Sequence, residues 1–285
     1  MNDILHQPVR TPDGLALACD VSGDPQAPAV ILLHGGGQTR HSWAATVKQL
    51  VANGYRVVNY DARGHGDSDW SPEGDYSIEA LTSDLRTVRN LVPGPAAFVG
   101  ASMGGITSFF TVGTSDEPIA DALVMVDIVL RVAPAGVNKI QQFMRGNQNG
   151  FANLEEATAA VAAYNPDRPR PSDSAGLLKN LRLRDDGRLY WHWDPRLMEM
   201  KPSSEPPSRL DTLVASSKGV SIPTLVVRGQ HSDIVDDEGV AEMRRLVPQT
   251  EVLEVRGAGH MIAGDRNDAF TAGIMAFLDR HFRAV

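Results

Sequence analysis

The chain has 285 residues, one cysteine and a formal net charge of −8. Hydrophobic residues make up 42% of it and charged residues 22%, as in ordinary globular proteins with a large core. The single cysteine excludes an intramolecular disulfide framework, and the acidic balance argues against nucleic acid and against a basic membrane-binding patch.

The first eight residues have neither the basic nor the apolar region of a secretory signal peptide. No apolar run approaches the ~20 residues that a membrane-spanning helix needs. We therefore expect a cytoplasmic protein with no membrane partner.

The first predicted elements are a hairpin, two strands and a helix. Residues 9–21 alternate apolar and polar side chains around an Asp-Gly pair, which is typical of a hairpin turn. Residues 29–33 form a continuous apolar run, as expected of a strand buried on both faces of a parallel sheet. A helix is predicted from about residue 42 to 53, ending at Gly54, and a strand follows at 56–60.

The alternation continues along the chain. A helix is predicted to begin after Ser77 and to run to about residue 91. The other predicted elements are strands at 96–101, 122–127, 223–229 and 251–255 and helices at about 238–246 and 267–282. Strands that alternate with helices through short loops predict an α/β fold with a mostly parallel sheet and helices on both faces.

Residues 130–217 have a different pattern, in which long apolar runs stop and helical periodicity takes over between proline-rich breaks. We interpret them as an inserted, mainly helical cap, so that residues 1–129 and 218–285 form the core. Large apolar side chains are frequent in this segment, and ligand pockets are lined mostly by such groups. The candidates for substrate contacts are Phe143, Trp191, His192 and Trp193.

The most informative motif is Gly-x-Ser-x-Gly at residues 100–104, between a predicted strand and a predicted helix. A nucleophile elbow needs this context, because the serine occupies a sharp turn whose neighbours must be small. Ser102 is the candidate nucleophile, and Met103 N–H is a candidate oxyanion donor. The second donor is expected from the glycines after the strand at 29–33, with Gly36 preferred and Gly35 as the alternative.

A serine hydroxyl needs a base to take its proton and an acid to orient that base. His260 is the candidate base, because it alone among eight histidines lies between the last predicted strand and the last predicted helix. Two acids precede it in loops after predicted strands, where the chemistry of open α/β sheets is located. Asp233 is preferred because its Gly-x-x-x-Asp loop has no other evident purpose, and Asp127 remains the alternative.

With these residues, the chain from about residue 14 to its end resembles the α/β-hydrolase family, in particular its small capped esterases, C–C hydrolases and haloperoxidase-like members. The matching motifs are His-Gly-Gly-Gly at 34–37, Asp-x-Arg-Gly-His-Gly-x-Ser at 61–68, Gly-x-Ser-Met-Gly-Gly at 100–105, the loop of Asp233 and Gly-His at 259–260. The resemblance implies Ser102 as nucleophile, His260 as base and Asp233 as acid. It also implies an oxyanion hole formed by the amides of Gly36 and Met103. Serine at the elbow differs from the aspartate of the haloalkane dehalogenase and epoxide hydrolase branches.

The expected function is hydrolysis, through an acyl-enzyme, of a medium-sized and partly hydrophobic carboxylic ester or lactone. One alternative is a C–C bond hydrolase acting on a vinylogous diketone, for which only Arg131 and Arg196 can be nominated as carboxylate-binding groups. Another is a slow-turnover ligand-binding or receptor-like member. Without a dinucleotide fingerprint or a metal-ligand cluster in the sequence, we expect neither a cofactor nor a metal. The sequence does not determine whether the chain forms a dimer.

Overall fold

A computed structural model of the chain describes residues 4–164, 175–199, 208–258 and 267–283. Its strands are β1 (Leu5–His6), β2 (Val9–Arg10), β3 (Ala16–Leu17), β4 (Cys19–Ser22), β5 (Ala29–Leu33), β6 (Arg56–Tyr60), β7 (Ala96–Ala101), β8 (Ala122–Val126), β9 (Leu181–Leu183), β10 (Leu189–Trp191), β11 (Thr224–Gly229) and β12 (Thr250–Val255). Its helices are α1 (Ala44–Ala52), α2 (Ile78–Arg89), α3 (Met103–Gly113), α4 (Pro134–Arg145), α5 (Leu154–Tyr164), α6 (Arg209–Ser216), α7 (Asp237–Leu246) and α8 (Asn267–His281).

Eight of the strands form one sheet in the order β1-β4-β6-β5-β7-β8-β11-β12. The six strands from β6 to β12 are mutually parallel, and β4 runs antiparallel to both of its neighbours. Strands β5, β7 and β8 are buried along their whole length, as expected where helices cover both faces. The predicted α/β fold with a mostly parallel sheet is confirmed.

The sheet separates two apolar layers because successive side chains of a strand point to opposite faces. Ile31 and Phe98 belong to the layer that includes α2, α3 and α7. Leu32 and Val99, the next residues in the same strands, belong to the layer that includes α1 and α8. The continuous apolar runs of the sequence therefore fill both layers, and the polar loops remain at the strand ends.

The helix expected over residues 42–53 begins differently. The chain first forms a 3-10 turn at Arg40–Trp43 and then continues as α1. Arg40 accounts for the difference, because its N–H donates to Asp61 Oδ1 (2.6 Å) and its side chain pairs with Asp20 (3.0 Å). These contacts fix the chain just before the helix begins.

Residues 130–217, here called the inserted segment, connect β8 to β11. Their described part contains α4, α5 and α6, and also a two-stranded antiparallel hairpin of β9 and β10 that the sequence analysis did not predict. Leu181 pairs with Trp191 and Leu183 with Leu189 across this hairpin. Every helix in the described part of the chain, including those of the inserted segment, is too short or too polar to cross a lipid bilayer.

Candidate active site

Ser102 lies in the turn between β7 and α3 with φ +46° and ψ −111°. Such a positive φ is uncommon for a residue other than glycine and is typical of functional turns. The flanking glycines are required by space, since a Cβ on Gly100 would overlap the backbone of Gly104. A Cβ on Gly104 would lie 2.5 Å from the carbonyl oxygen of Leu33. The spacing of the motif is therefore a steric requirement of this strand-turn-helix junction.

Residues 34–37, here called the oxyanion loop because an oxyanion donor is predicted among them, approach Ser102 at Gly35, where a built Cβ would be 3.5 Å from Ser102 Cβ. Gly35 N–H already donates to Gln38 Oε1 (3.1 Å). Gly36 N–H and Met103 N–H have no acceptor among the residues that the structure describes. Met103 is in the first turn of α3, where N–H groups lack partners within the helix. The amide of Met103, next to Ser102 in the chain, and that of Gly36, in the neighbouring loop, are thus without acceptors among these residues, whereas that of Gly35 is occupied.

Two buried histidines hold the oxyanion loop. His34 Nε2 accepts the N–H of Ala62 (3.0 Å), so its proton is on Nδ1 and donates to the carbonyl oxygen of Gly35 (2.8 Å). His65 Nε2 accepts the N–H of Gly37 (3.1 Å). Both rings must be neutral to accept an amide, and burial lowers the pKa of each, that of His65 furthest.

The loop that carries His65 is fixed by buried ion pairs, which explains the charged residues of its motif. Asp61 accepts a hydrogen bond from the guanidinium of Arg40. Arg63 makes a bidentate ion pair with Asp84 (2.7 and 2.6 Å), and both side chains are almost completely buried. A Cβ on Gly66 would overlap the Asp61 carboxylate, so only glycine fits there.

Asp127 directly follows β8 with φ +47°, and only 1% of its surface is exposed. Its Oδ1 accepts the N–H of Gly229 (2.9 Å) and its Oδ2 accepts the hydroxyl of Ser232 (2.7 Å). Ser102 N–H donates to the carbonyl oxygen of Val126 (2.9 Å), the residue before Asp127. The serine and this carboxylate therefore stand at the ends of adjacent parallel strands.

Asp233 lies in the loop after β11 in a different environment. Its side chain is 37% exposed and pairs with Lys139 of α4 (3.1 Å). A Cβ on Gly136, also in α4, would overlap the carbonyl oxygen of Asp233. Both the backbone and the carboxylate of Asp233 therefore contact the inserted segment.

The candidate base, His260, lies outside the described residues. The described chain before it ends at buried Ala258, whose carbonyl oxygen accepts the N–H of His231 (2.9 Å). His231 adjoins Ser232, the residue that donates to Asp127. The chain leaving β12 is thus held beside the loop that binds the buried carboxylate.

The predicted substrate contacts form an apolar cluster in the inserted segment. Trp191 and Trp193 stack with ring centroids 4.8 Å apart, and Phe143 lies 5.5 Å from Trp191. The ring of Trp193 reaches the core, since a Cβ on Gly37 would be 3.3 Å from it. Trp193 therefore lies directly against the oxyanion loop.

His192 is placed differently from its aromatic neighbours. Its ring is 1% exposed and its Nδ1 accepts the N–H of Gly66 (2.7 Å), so this nitrogen is committed to the core. Met144 is one of the large apolar side chains of this segment but not one of the four named candidates, and its sulfur would lie 3.8 Å from a Cβ on Gly36. Its helical spacing from Ile140 indicates the apolar face of α4.

No group of three or more metal-ligating side chains is close enough to hold a metal ion in the part of the chain that the structure describes. The site built from these residues consists of a strained serine, two available amides and a buried, hydrogen-bonded carboxylate at neighbouring strand ends. Such groups perform nucleophilic acyl transfer when a base is added to them.

A profile of the alpha/beta hydrolase fold matches residues 28–266. The chain is 29% identical to esterase Rv0045c of Mycobacterium tuberculosis over 264 residues, which cover 89% of this chain and 83% of that protein. It is also 29% identical to the mouse sn-1-specific diacylglycerol lipase ABHD11 over 272 residues, or 90% and 83% of the two chains. A crystal structure of the mycobacterial esterase has a TM-score of 0.80 at 25% identity, with 98% and 92% of the two chains covered. That of an alpha/beta hydrolase from Novosphingobium aromaticivorans has a TM-score of 0.80 at 22% identity, with 98% and 99% covered.

Proposed function

This chain belongs to the α/β-hydrolase family, and we propose that it cleaves carboxylic esters through an acyl-enzyme formed on Ser102. The observation that carries the proposal is the strained Ser102 backbone (φ +46°), which is followed by the Met103 amide and approached by the loop of Gly36, both amides being without acceptors among the described residues. The names of the relatives support ester hydrolysis, because one is an esterase and another a diacylglycerol lipase.

In the proposed reaction, Ser102 Oγ attacks the ester carbonyl carbon while His260 takes the hydroxyl proton. The carbonyl oxygen becomes an oxyanion and accepts hydrogen bonds from the N–H groups of Gly36 and Met103, each worth about 3 kcal/mol in the transition state. The intermediate collapses by breaking the bond to the alcohol oxygen, which leaves with the proton from His260. Water then attacks the acyl-enzyme by the same steps and releases the carboxylic acid.

For the acid that orients His260, the geometry favours Asp127 over Asp233, although the sequence analysis preferred Asp233. The Asp127 carboxylate is buried, is oriented by two hydrogen-bond donors and follows the strand next to that of Ser102. A carboxylate in this environment can fix the tautomer and direction of an imidazole. Asp233 is more exposed and already pairs with Lys139.

The alternative function, hydrolysis of a C–C bond, has less support. It requires a cation for the substrate carboxylate, and the sequence analysis nominated Arg131 and Arg196. Arg131 pairs with Glu242, and Arg196 pairs with buried Asp194 (2.6 Å). Because both guanidinium groups already have carboxylate partners, an uncharged ester or lactone suits this site better.

The test is fluorophosphonate labelling combined with turnover of a panel of 4-nitrophenyl esters and aryl lactones. We expect Ser102→Ala to abolish labelling and turnover while the melting temperature stays close to that of the wild type. Labelling of Ser102→Ala, or the absence of multiple turnovers by the wild type on every ester and lactone, would contradict the proposal. The second result would favour the slow-turnover, receptor-like alternative.

A matched pair of variants separates the two acids. Asp127→Asn is expected to lower kcat about 10³- to 10⁴-fold, because the imidazole loses its orienting anion. Asp233→Asn, which removes an exposed ion pair, is expected to lower it less than about 10-fold. Lys139→Gln breaks the same ion pair from the other side and serves as the control. The reverse order of the two effects would assign the role to Asp233.

A further inference from the structure

Three buried histidine rings form a continuous row beneath the oxyanion loop. The ring centroids of His34 and His65 are 5.0 Å apart, and those of His65 and His192 are 5.9 Å apart. His34 and His65 belong to the core, whereas His192 is supplied by the inserted segment. The proposed mechanism uses none of the three rings as a base, and it therefore does not explain why a third ring is buried here.

The first ring acts directly on an amide of the oxyanion hole. Gly35 C=O and Gly36 N–H belong to the same planar trans peptide and therefore point in opposite directions. The hydrogen bond from His34 Nδ1 to the Gly35 oxygen consequently fixes the direction of Gly36 N–H. The next peptide plane is fixed in turn by the bond from Gly37 N–H to His65 Nε2.

His192 holds the segment from which the second ring projects. Its Nδ1 accepts the N–H of Gly66, the residue immediately after His65 (2.7 Å). Its proton is then on Nε2, which lies beside the Gly37 backbone without a hydrogen bond of ordinary geometry. The adjoining Trp193 ring packs on the same glycine. The inserted segment thus touches both ends of the bond between Gly37 and His65.

We propose that His192 is a positioning residue through which the inserted segment sets the direction of the oxyanion-hole amide of Gly36. This inference rests on the proposed function of Ser102 and extends it. The ring makes no substrate contact in this role. It acts through Gly66 and His65, and its loss should affect the transition state more than substrate binding.

The test compares His192→Asn with His192→Gln. The Asn Oδ1 occupies nearly the position of Nδ1 and can accept the Gly66 N–H, whereas the Gln side chain places its polar atoms near Nε2. With 4-nitrophenyl butyrate, we expect the Gln variant to lose about 10-fold in kcat with KM within about 2-fold of the wild type, and the Asn variant to retain most of kcat. Tyr190→Phe, which removes a hydrogen bond to Asp186 at the surface of the same hairpin, is the control.

Two further readouts separate positioning from a general loss of stability. Inhibition by phenylboronic acid, whose adduct with serine mimics the tetrahedral intermediate, should weaken with the Gln variant by the same factor as kcat. Amide hydrogen exchange at Gly37 and Gly66 should be about 10-fold faster in that variant.

Equal kcat values for the Asn and Gln variants at equal folded fraction would overturn the inference. Unchanged exchange at Gly37 would also overturn it, and this measurement needs no activity. If the wild type is not labelled by a fluorophosphonate, the proposed function of Ser102 fails, while the exchange data still decide whether His192 positions the loop.

Discussion

Acid should destabilise this fold through its buried histidines, and His192 allows the effect of one ring to be measured. Burial lowers the pKa of His192 to about 3, with a smaller effect from neighbouring His34 and an opposing effect from Asp61. In the unfolded chain, the same side chain has its ordinary pKa of about 6.5. Below that pH the unfolded state binds a proton that the folded state does not bind, so the free energy of unfolding decreases as the pH falls.

The magnitude follows from the gap between the two pKa values. Each pH unit below about 6.5 lowers the free energy of unfolding by roughly 1.4 kcal/mol per neutral buried histidine, until the pKa of the folded state is reached. For His192 alone the loss is therefore about 2 kcal/mol at about pH 5, and it is nearly absent above about pH 7.5. The pKa values of His34 and His65 are also lowered by burial, so these rings act in the same direction.

The assay is urea unfolding of the wild type and of His192→Asn at several pH values between about 5 and 8. Asparagine does not titrate, and His34 and His65 are present in both proteins, so their contributions cancel in the difference. The stability of the wild type relative to the variant should fall by about 2 kcal/mol between about pH 8 and pH 5. Parallel curves would refute the reasoning, because they would mean that the ring takes up a proton equally in the folded and unfolded states.

Three other substitutions test the packing around the site. Met144→Ala should open space above the oxyanion loop and so favour longer acyl chains. We expect kcat/KM for 4-nitrophenyl octanoate, divided by kcat/KM for 4-nitrophenyl acetate, to rise about 10-fold or more. An unchanged ratio would mean that Met144 does not line the acyl pocket. Asp84→Asn should lower the free energy of unfolding by about 3–5 kcal/mol, since Arg63 would keep only the half-exposed Asp13 as a charged partner. Urea unfolding with a loss below about 1 kcal/mol would contradict that value. Gly104→Ala should abolish activity or folding, because the new Cβ would collide with the carbonyl oxygen of Leu33, the residue before the oxyanion loop. Gly176→Ala is the control: the space around its new Cβ is open, so the melting temperature and turnover should be unchanged.

The sequence predicted the sheet well because the signals for its elements are local. Strand β5 occupies the apolar run at 29–33, and α2 begins after Ser77, whose hydroxyl accepts the N–H of Ala80. The 3-10 turn before α1 was not predicted, since it depends on contacts of Arg40 with Asp20 and Asp61, each about twenty residues away. Propensity and periodicity carry no information about such pairs.

The hairpin of β9 and β10 was missed for another reason. Helical periodicity was assumed across the whole inserted segment, although Leu181, Arg182 and Leu183 alternate as in a strand. Within the aromatic run that ends this hairpin, the three side chains differ in their contacts. Trp191 and Trp193 stack on each other, whereas His192 between them accepts the backbone N–H of Gly66. The sequence predicted a substrate contact for all three residues, because the Gly66 N–H that His192 binds is 126 residues away.

The order of preference between the two candidate acids depended on contacts that no local pattern encodes. Local sequence patterns are enough to predict that Asp127 and Asp233 both follow strands. Lys139, which pairs with Asp233, is 94 residues away from it, and Ser232, which donates to Asp127, is 105 residues away from its acceptor. The motif around Ser102 was readable because its constraint is steric and spans five residues.

The inserted segment is attached to the core at the same loop that braces the proposed oxyanion hole. Asp194 N–H donates to the carbonyl oxygen of Gly64 (2.9 Å), and the Asp194 carboxylate accepts the hydroxyl of Tyr76 (2.5 Å). His192 binds Gly66 two residues further along that loop. This loop is also fixed by buried ion pairs. We therefore expect the attachment to hold the amides of the oxyanion loop in place and its loss to loosen them. Asp194→Asn should therefore lower kcat in the same direction as His192→Gln, and a change confined to KM would show that the attachment only shapes the pocket.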